Sequence, residues 1–235
     1  MILFAAYIVT SVSVNAQTQF SGWLASFNTF NLDDKSSIHF DGQIRSSDQV
    51  KHMQTLLLRT GYNYKLRKNV IATAGYAYIS NRRVISNVSG YAPEHRIWEQ
   101  LIINHHISFV PTQQRFRLEQ RFIPTSFIEN GNLKNRGSEY ANRFRYFTRG
   151  VFPFSGEKQF GKGLFAALQN EVMLNFGDKS AVNGKTFDQN RLYLAVGYRL
   201  NPRLDLETGY LNQYVSGRND TFSNNHIWQI AVYVR

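Results

Sequence analysis

From residue 115 to 122 the chain reads Arg-Phe-Arg-Leu-Glu-Gln-Arg-Phe, with Arg115, Arg117, Glu119 and Arg121 on one parity and Phe116, Leu118, Gln120 and Phe122 on the other. Successive side chains of a strand point to opposite faces, so this segment has one charged face and one apolar face. The alternation returns at Arg143, Arg145 and Arg149 against Phe144 and Tyr146, and at Gln189 and Arg191 against Leu192, Leu194 and Val196. Apolar-alternating runs cover residues 19–30, 36–46, 54–66, 69–80, 95–109, 114–124, 139–149, 163–176, 187–200, 203–215 and 225–235. Each reaches the ~9–11 residues that a tilted strand needs to cross a bilayer. The chain offers no amphipathic helix to supply a second layer over the apolar faces. The pattern predicts an all-β fold, a transmembrane antiparallel up-and-down β-barrel of 10–12 strands with lipid outside and polar side chains within.

The connections sharpen that expectation. Residues 67–69, 111–113 and 201–203 read as tight turns, whereas 81–94, 125–138, 177–186 and 216–224 read as long loops, of which 177–186 and 216–224, and similarly 125–138, have the Gly- and Asn-rich composition of mobile ones. Short periplasmic turns and longer outer loops give this asymmetry in outer-membrane barrels. Placing the tight turns on one side lets the runs from 36 to 235 close ten strands. The run at 19–30, with Trp23 and Phe27, is then an eleventh: a plug, an extra edge strand, or part of a twelve-strand barrel.

Length and composition set the remaining bounds. The 235 residues suit one barrel domain. Tyr and Phe number 13 and 18, enough to build two interfacial girdles. A negative mean hydropathy is compatible with a barrel, which needs only alternate residues to be apolar. The uncharged opening MILFAAYIVTSVSVNA ends in the small-x-small triplet Val14-Asn15-Ala16. We read residues 1–16 as a signal peptide cleaved before Gln17, with 17–235 as the barrel domain, although the usual basic n-region is missing. A short buried strand is the other reading of that opening. The absence of cysteine removes disulfides and thiolate metal sites and suits a protein that crosses the periplasm unfolded. In the last run Trp228, Ile230, Val232 and Val234 share one parity, the amphipathic last strand that barrel-insertion machinery reads, although the chain ends in Arg235.

A closed barrel gathers the charged parity into one lumen. The candidate network is Arg117, Glu119, Arg121, Arg143, Arg145, Glu171, Arg191 and Glu207, joined by Gln169 and Asp205. Guanidinium and carboxylate facing each other in a narrow barrel form ion pairs that fill and seal it. Alternatively, a surplus of arginine makes an anion-attracting constriction.

The serial order of several blocks carries a resemblance. Residues 94–100 (EHRIWEQ), 115–122 (RFRLEQRF), 142–146 (NRFRY), Asn170-Glu171, 187–200 (FDQNRLYLAVGYRL) and 207–213 (ETGYLNQ) together resemble the barrel family catalogued as domain of unknown function 2490. The resemblance spans roughly residues 20 to 235. It implies a barrel in the outer membrane of Gram-negative cells with no established activity.

The net charge of +11 also describes basic, aromatic platforms for single-stranded nucleic acid. The strict alternation of arginine with apolar residues over the whole chain argues against that partner. The partners expected are outer-membrane lipids and lipopolysaccharide, with Lys134 and Arg136 placed to touch its phosphates, and the insertion machinery during biogenesis. Nothing in the sequence sets an oligomeric state.

A barrel hydrolase acting on lipid or lipopolysaccharide needs a serine and histidine within hydrogen-bond reach and a group fixing the imidazole. The histidine candidates are His39 near Asp41, His95, the pair His105 and His106 near Ser108, and His226. None sits in a nucleophile motif. His39 and Asp41 stand two residues apart on one strand face, a separation of ~6.5–7 Å that does not define a site. No metal or cofactor is expected, for want of ligand spacing. Two classes stay open: a structural or narrow anion-favouring barrel, and a lipid-active barrel enzyme.

Overall fold

The computed structural model describes residues 16–155 and 160–235. Residues 1–15 of the signal-peptide reading therefore lie outside the described residues, and residue 16 begins the first strand. The strands are β1 (Ala16–Asn31), β2 (Ser36–Ser46), β3 (Met53–Arg67), β4 (Val70–Ile85), β5 (Val88–Ile107), β6 (Val110–Glu129), β7 (Asn132–Pro153), β8 (Gly163–Phe176), β9 (Phe187–Asn201), β10 (Leu204–Ser216) and β11 (Phe222–Val234). Together they close into a single barrel, the all-β architecture expected from the alternation. Two expected runs, 36–46 and 163–176, coincide with their strands.

The run at 19–30 is a wall strand. β1 pairs antiparallel with β2 and parallel with β11, in register from Ala16 opposite Phe222 to Asn28 opposite Val234. The ten-strand closure is corrected on that point. Strands joined by hairpins alternate in direction, so the first and eleventh run the same way. A parallel seam is then the ladder that satisfies both edges and closes the sheet.

Two supposed loops are also corrected. Residues 81–94 and 125–138 are the outer arms of hairpins, zipped to their tips. The tips are two-residue turns with positive φ at both positions, 45° and 67° at Ser86 and Asn87, and 50° and 73° at Asn130 and Gly131. That geometry matches the right-handed twist of the strands it joins. The Asn-Gly pair was a legible hairpin signal. The arms touch where Leu133 packs on Gly90, a position at which a Cβ would come within 2.7 Å of the leucine. Asn135 Nδ2 donates to the Tyr91 carbonyl at 2.9 Å beside that contact. Lys134 and Arg136 are exposed on the β7 arm. The tight turn expected at 111–113 falls at Ser108 and Phe109 instead, because Val110–Pro111–Thr112 already pair with β5 or β7.

The outer wall is apolar. Leu24, Leu58, Ile97, Leu194 and Ile230 are all exposed. Exposed aromatics gather near both ends of the strands, with Phe20, Phe176, Phe187 and Tyr214 at the loop end and Phe30, Tyr64, Phe109 and Tyr198 at the turn end. Polar residues on the outer parity pair off: Gln120 Nε2 donates to Glu99 at 3.1 Å, and Asn170 and Asn190 exchange hydrogen bonds of 3.3 and 3.2 Å.

Inside, two aromatic plates set the lumen's shape. The Trp98 indole lies on Gly61 and Gly75, and a Cβ at either would stand 2.7 or 2.5 Å from the ring. Trp23 lies against Leu211, Ile227 and the Phe165–Tyr193 cluster on the β8–β11 side.

The parallel seam is directly testable, because the chain has no native cysteine to interfere. Ser26 and Val232 are cross-strand partners, so the Ser26→Cys/Val232→Cys double variant is expected to form an intramolecular disulfide under mild oxidation, seen as a reducible mobility shift. Persistent free thiols in the folded protein would count against the seam.

Candidate functional site

The charged parity of β2 to β11 converges on the lumen. Glu119 is the hub: its Oε2 accepts from Arg143 Nε and Nη2 at 3.0 and 2.6 Å, and its Oε1 from Arg145 Nη1 at 2.6 Å. Arg143 reaches on to Asp188 at 2.8 Å. Arg145 reaches Glu171 at 2.7 Å, where Arg115 also donates at 2.7 Å. The result is a continuous chain of alternating charge, Asp188–Arg143–Glu119–Arg145–Glu171–Arg115. A second centre joins Arg96 and Arg121 to Glu94 at 2.6 and 2.7 Å. A third joins Arg149 and Tyr233 to Glu207. Near the turn end Arg199 grips Asp205 with two bonds of 2.8 and 3.0 Å, and Arg235 adds one of 2.7 Å.

All eight residues of the candidate network thus project inward. The structure does not make them one unit. Glu207 belongs to the separate Arg149 centre, and Arg121 reaches the hub only by way of Glu94 and Arg96, whose Nη1 donates to Glu119 at 3.4 Å. Arg117 takes no carboxylate in hydrogen-bond reach, the nearest being Glu119 at 3.9 Å. Its Nε and Nη2 donate to Gln100 Oε1 at 3.0 and 2.6 Å, and its guanidinium lies 4.5 Å from the centre of the Trp98 ring. Arg191 is also loosely held, with Nη1 3.7 Å from Glu171.

Several lumen residues escaped the sequence reading. Arg59 bonds Asp41 at 2.7 Å; its parity was hidden inside the run Leu56-Leu57-Leu58, of which Leu57 faces inward against Trp98. Arg45 continues the polar parity of His39, Asp41 and Gln43 along β2, a signal that was present in the sequence. The inward tryptophans had no signal of their own, since an aromatic at a strand position suits either face.

The cavity these side chains leave has a volume of about 1190 Å³. It is lined at one end by Gln54, Asn81 and Gln213 and at the other by Asn69, His106 and Arg235, so it runs the length of the barrel. Among the described residues twelve arginines and two lysines line it, but only two carboxylates do, Glu94 and Glu171. The other acidic groups are covered by the arginines they bind.

The hydrogen-bonded histidines take a carboxylate or a phenol as partner. His39 Nε2 does lie 3.1 Å from Asp41 Oδ2, closer than strand spacing suggested, because both side chains lean together under Arg59. His95 bonds the Tyr76 hydroxyl and His226 that of Tyr210, both on the outer wall. His106 is at the turn-end mouth. No group of three metal-ligating side chains occurs among the described residues.

A family model described as "Protein of unknown function (DUF2490)" matches residues 20–224. The chain belongs to this family. Its members share a name that assigns no activity, so the family fixes kinship and leaves chemistry to the site. No curated protein matches the chain. Among solved structures the chain is similar to a NanC porin, described as "NanC porin structure in rhombohedral crystal form", with a TM-score of 0.50 and 12% identity over 92% of this chain and 98% of that one. At that identity the likeness shows the barrel fold alone.

Removing one member of a buried charge network leaves its partners uncompensated, which costs about 3–5 kcal/mol. Glu119→Gln is therefore expected to lower stability by that order in urea unfolding of the reconstituted protein. Lys185→Ala, which breaks the exposed pair with Asp220, is expected to leave the midpoint unchanged. Equal effects of the two would show that the Glu119 hub carries no special weight.

Proposed function

We propose that this member of the family is an outer-membrane barrel that passes small anions through a narrow lumen. The observation that carries the reading is the basic surplus of the lumen, where among the described residues twelve arginines and two lysines line a passage reaching both ends against seven buried inward carboxylates, two at its wall and five beneath the arginines. A low-dielectric wall focuses such a field on the passage and concentrates anions there. The apolar outer wall between two aromatic bands supports a bilayer as the surrounding medium. Eleven strands enclose far less space than the 16 to 18 of general porins, which suits passage of single small solutes.

Insertion is read first by heat-modifiability: the unboiled protein from outer-membrane fractions is expected to migrate apart from the boiled form on a detergent gel. Reconstituted in a planar bilayer under a tenfold KCl gradient, the protein is expected to give a reversal potential of the sign set by chloride. A folded, inserted barrel with no conductance would reduce the reading to a scaffold, and a potassium-signed potential would reverse it.

A further inference from the structure

We infer that the lumen holds a discrete oxyanion site, formed by Arg45 of β2 and Arg191 of β9 against the Trp23 indole of β1, which takes the carboxylate or phosphate group of a small solute. This rests on the pore reading and names where in the pore the selectivity resides.

Most lumen arginines have their charge met. Arg143 lies between Glu119 and Asp188, Arg145 between Glu119 and Glu171, and Arg59 on Asp41. Arg117 also lines the cavity without a carboxylate hydrogen bond, but its side chain is 1% exposed and packed on Trp98. Arg45 is less enclosed. It lines the cavity, and among the described residues no carboxylate lies within 4.0 Å of it. Its only hydrogen bonds there run from Nε and Nη2 to the neutral Gln43 Oε1, at 3.2 and 2.6 Å, which leaves Nη1 free.

Arg191, from β9, is held almost as loosely. Glu171 is already taken by Arg115 and Arg145, and Arg191 Nη1 stays 3.7 Å from it. Its bond is to another neutral amide, Gln189, at 3.1 Å, and Gln189 is itself fixed by Gln213 at 2.9 Å. Both guanidiniums converge on one ring, at 4.0 Å for Arg45 and 5.3 Å for Arg191 from the Trp23 centroid.

The energetics favour an anion between them. Two like charges on one indole repel, and the cation–π contacts and glutamine bonds hold them in place without neutralising them. An oxyanion group removes that repulsion and gains charge-assisted bonds from donors already oriented, so little side-chain entropy is lost. The planar guanidinium fork matches both carboxylate and phosphate. The neutralised Arg143–Glu119–Arg145 belt, by contrast, holds the wall together and contributes little free positive charge.

Calorimetric titration of the detergent-solubilised full chain with phosphate, and separately with acetate, reads the site without requiring conduction. Saturable binding is expected for the wild type. Arg45→Gln and Arg191→Gln, each checked for folding by its heat shift, are expected to weaken it at least about tenfold. Arg45→Lys keeps the charge but loses the fork, and is expected to retain anion preference in bilayers while binding more weakly. Phosphate binding without acetate binding assigns a phosphate-bearing solute, and equal binding assigns any oxyanion; both support the site. Absence of saturable binding by the wild type, or binding unchanged in both glutamine variants, overturns it. An anion-signed reversal potential in that event leaves the pore reading standing, whereas saturable binding without conductance removes the pore and keeps the site.

Discussion

The seam between β1 and β11 is the constraint on which the rest of the barrel depends. Thirteen registered positions join two strands that run the same way. Without them, both edges of an eleven-strand sheet would present bare amide and carbonyl groups with no strand to pair them. Closure also decides which residues meet across the lumen. Trp23 and Arg45 are direct partners on β1 and β2, but Arg191 comes from β9, and only a closed ring brings it to the same indole.

The lumen is organised by where its few carboxylates sit. Glu119 and Glu171 each gather more than one guanidinium, and Glu119, Asp41, Asp188, Asp205 and Glu207 lie behind the basic side chains they bind. Taking such charges out of water is costly, and mutual attraction offsets the cost only where hydrogen bonds are complete. Concentrating the acids at hubs completes the bonds of Arg143 and Arg145. It leaves Arg45 and Arg191 to neutral glutamines. The wall is therefore rigid where its charges balance and receptive where they do not.

The aromatic plates link that electrostatics to packing. Trp98 needs glycine at 61 and 75 to lie flat on the wall, and from there it carries Arg117 above it. Trp23 rests on Leu211 and Ile227 and holds Arg45 and Arg191. In both places an apolar surface orients a cation that no carboxylate orients.

The sequence by itself determined the barrel class, most strand positions and the inward parity of the charged residues, because a period of two is a local property that survives in any closed sheet. RFRLEQRF could face only one way around. The Asn130-Gly131 turn was legible for the same local reason, although its Gly, Asn and Ser surroundings read as a mobile loop. Local pattern could not fix the strand count, since parity is silent on whether the first strand pairs with the last. Nor could it say which arginine meets which acid. Arg143 to Asp188 and Trp23 to Arg191 are meetings between strands that do not pair, set by stagger and closure, and those exist only once the tertiary structure is complete.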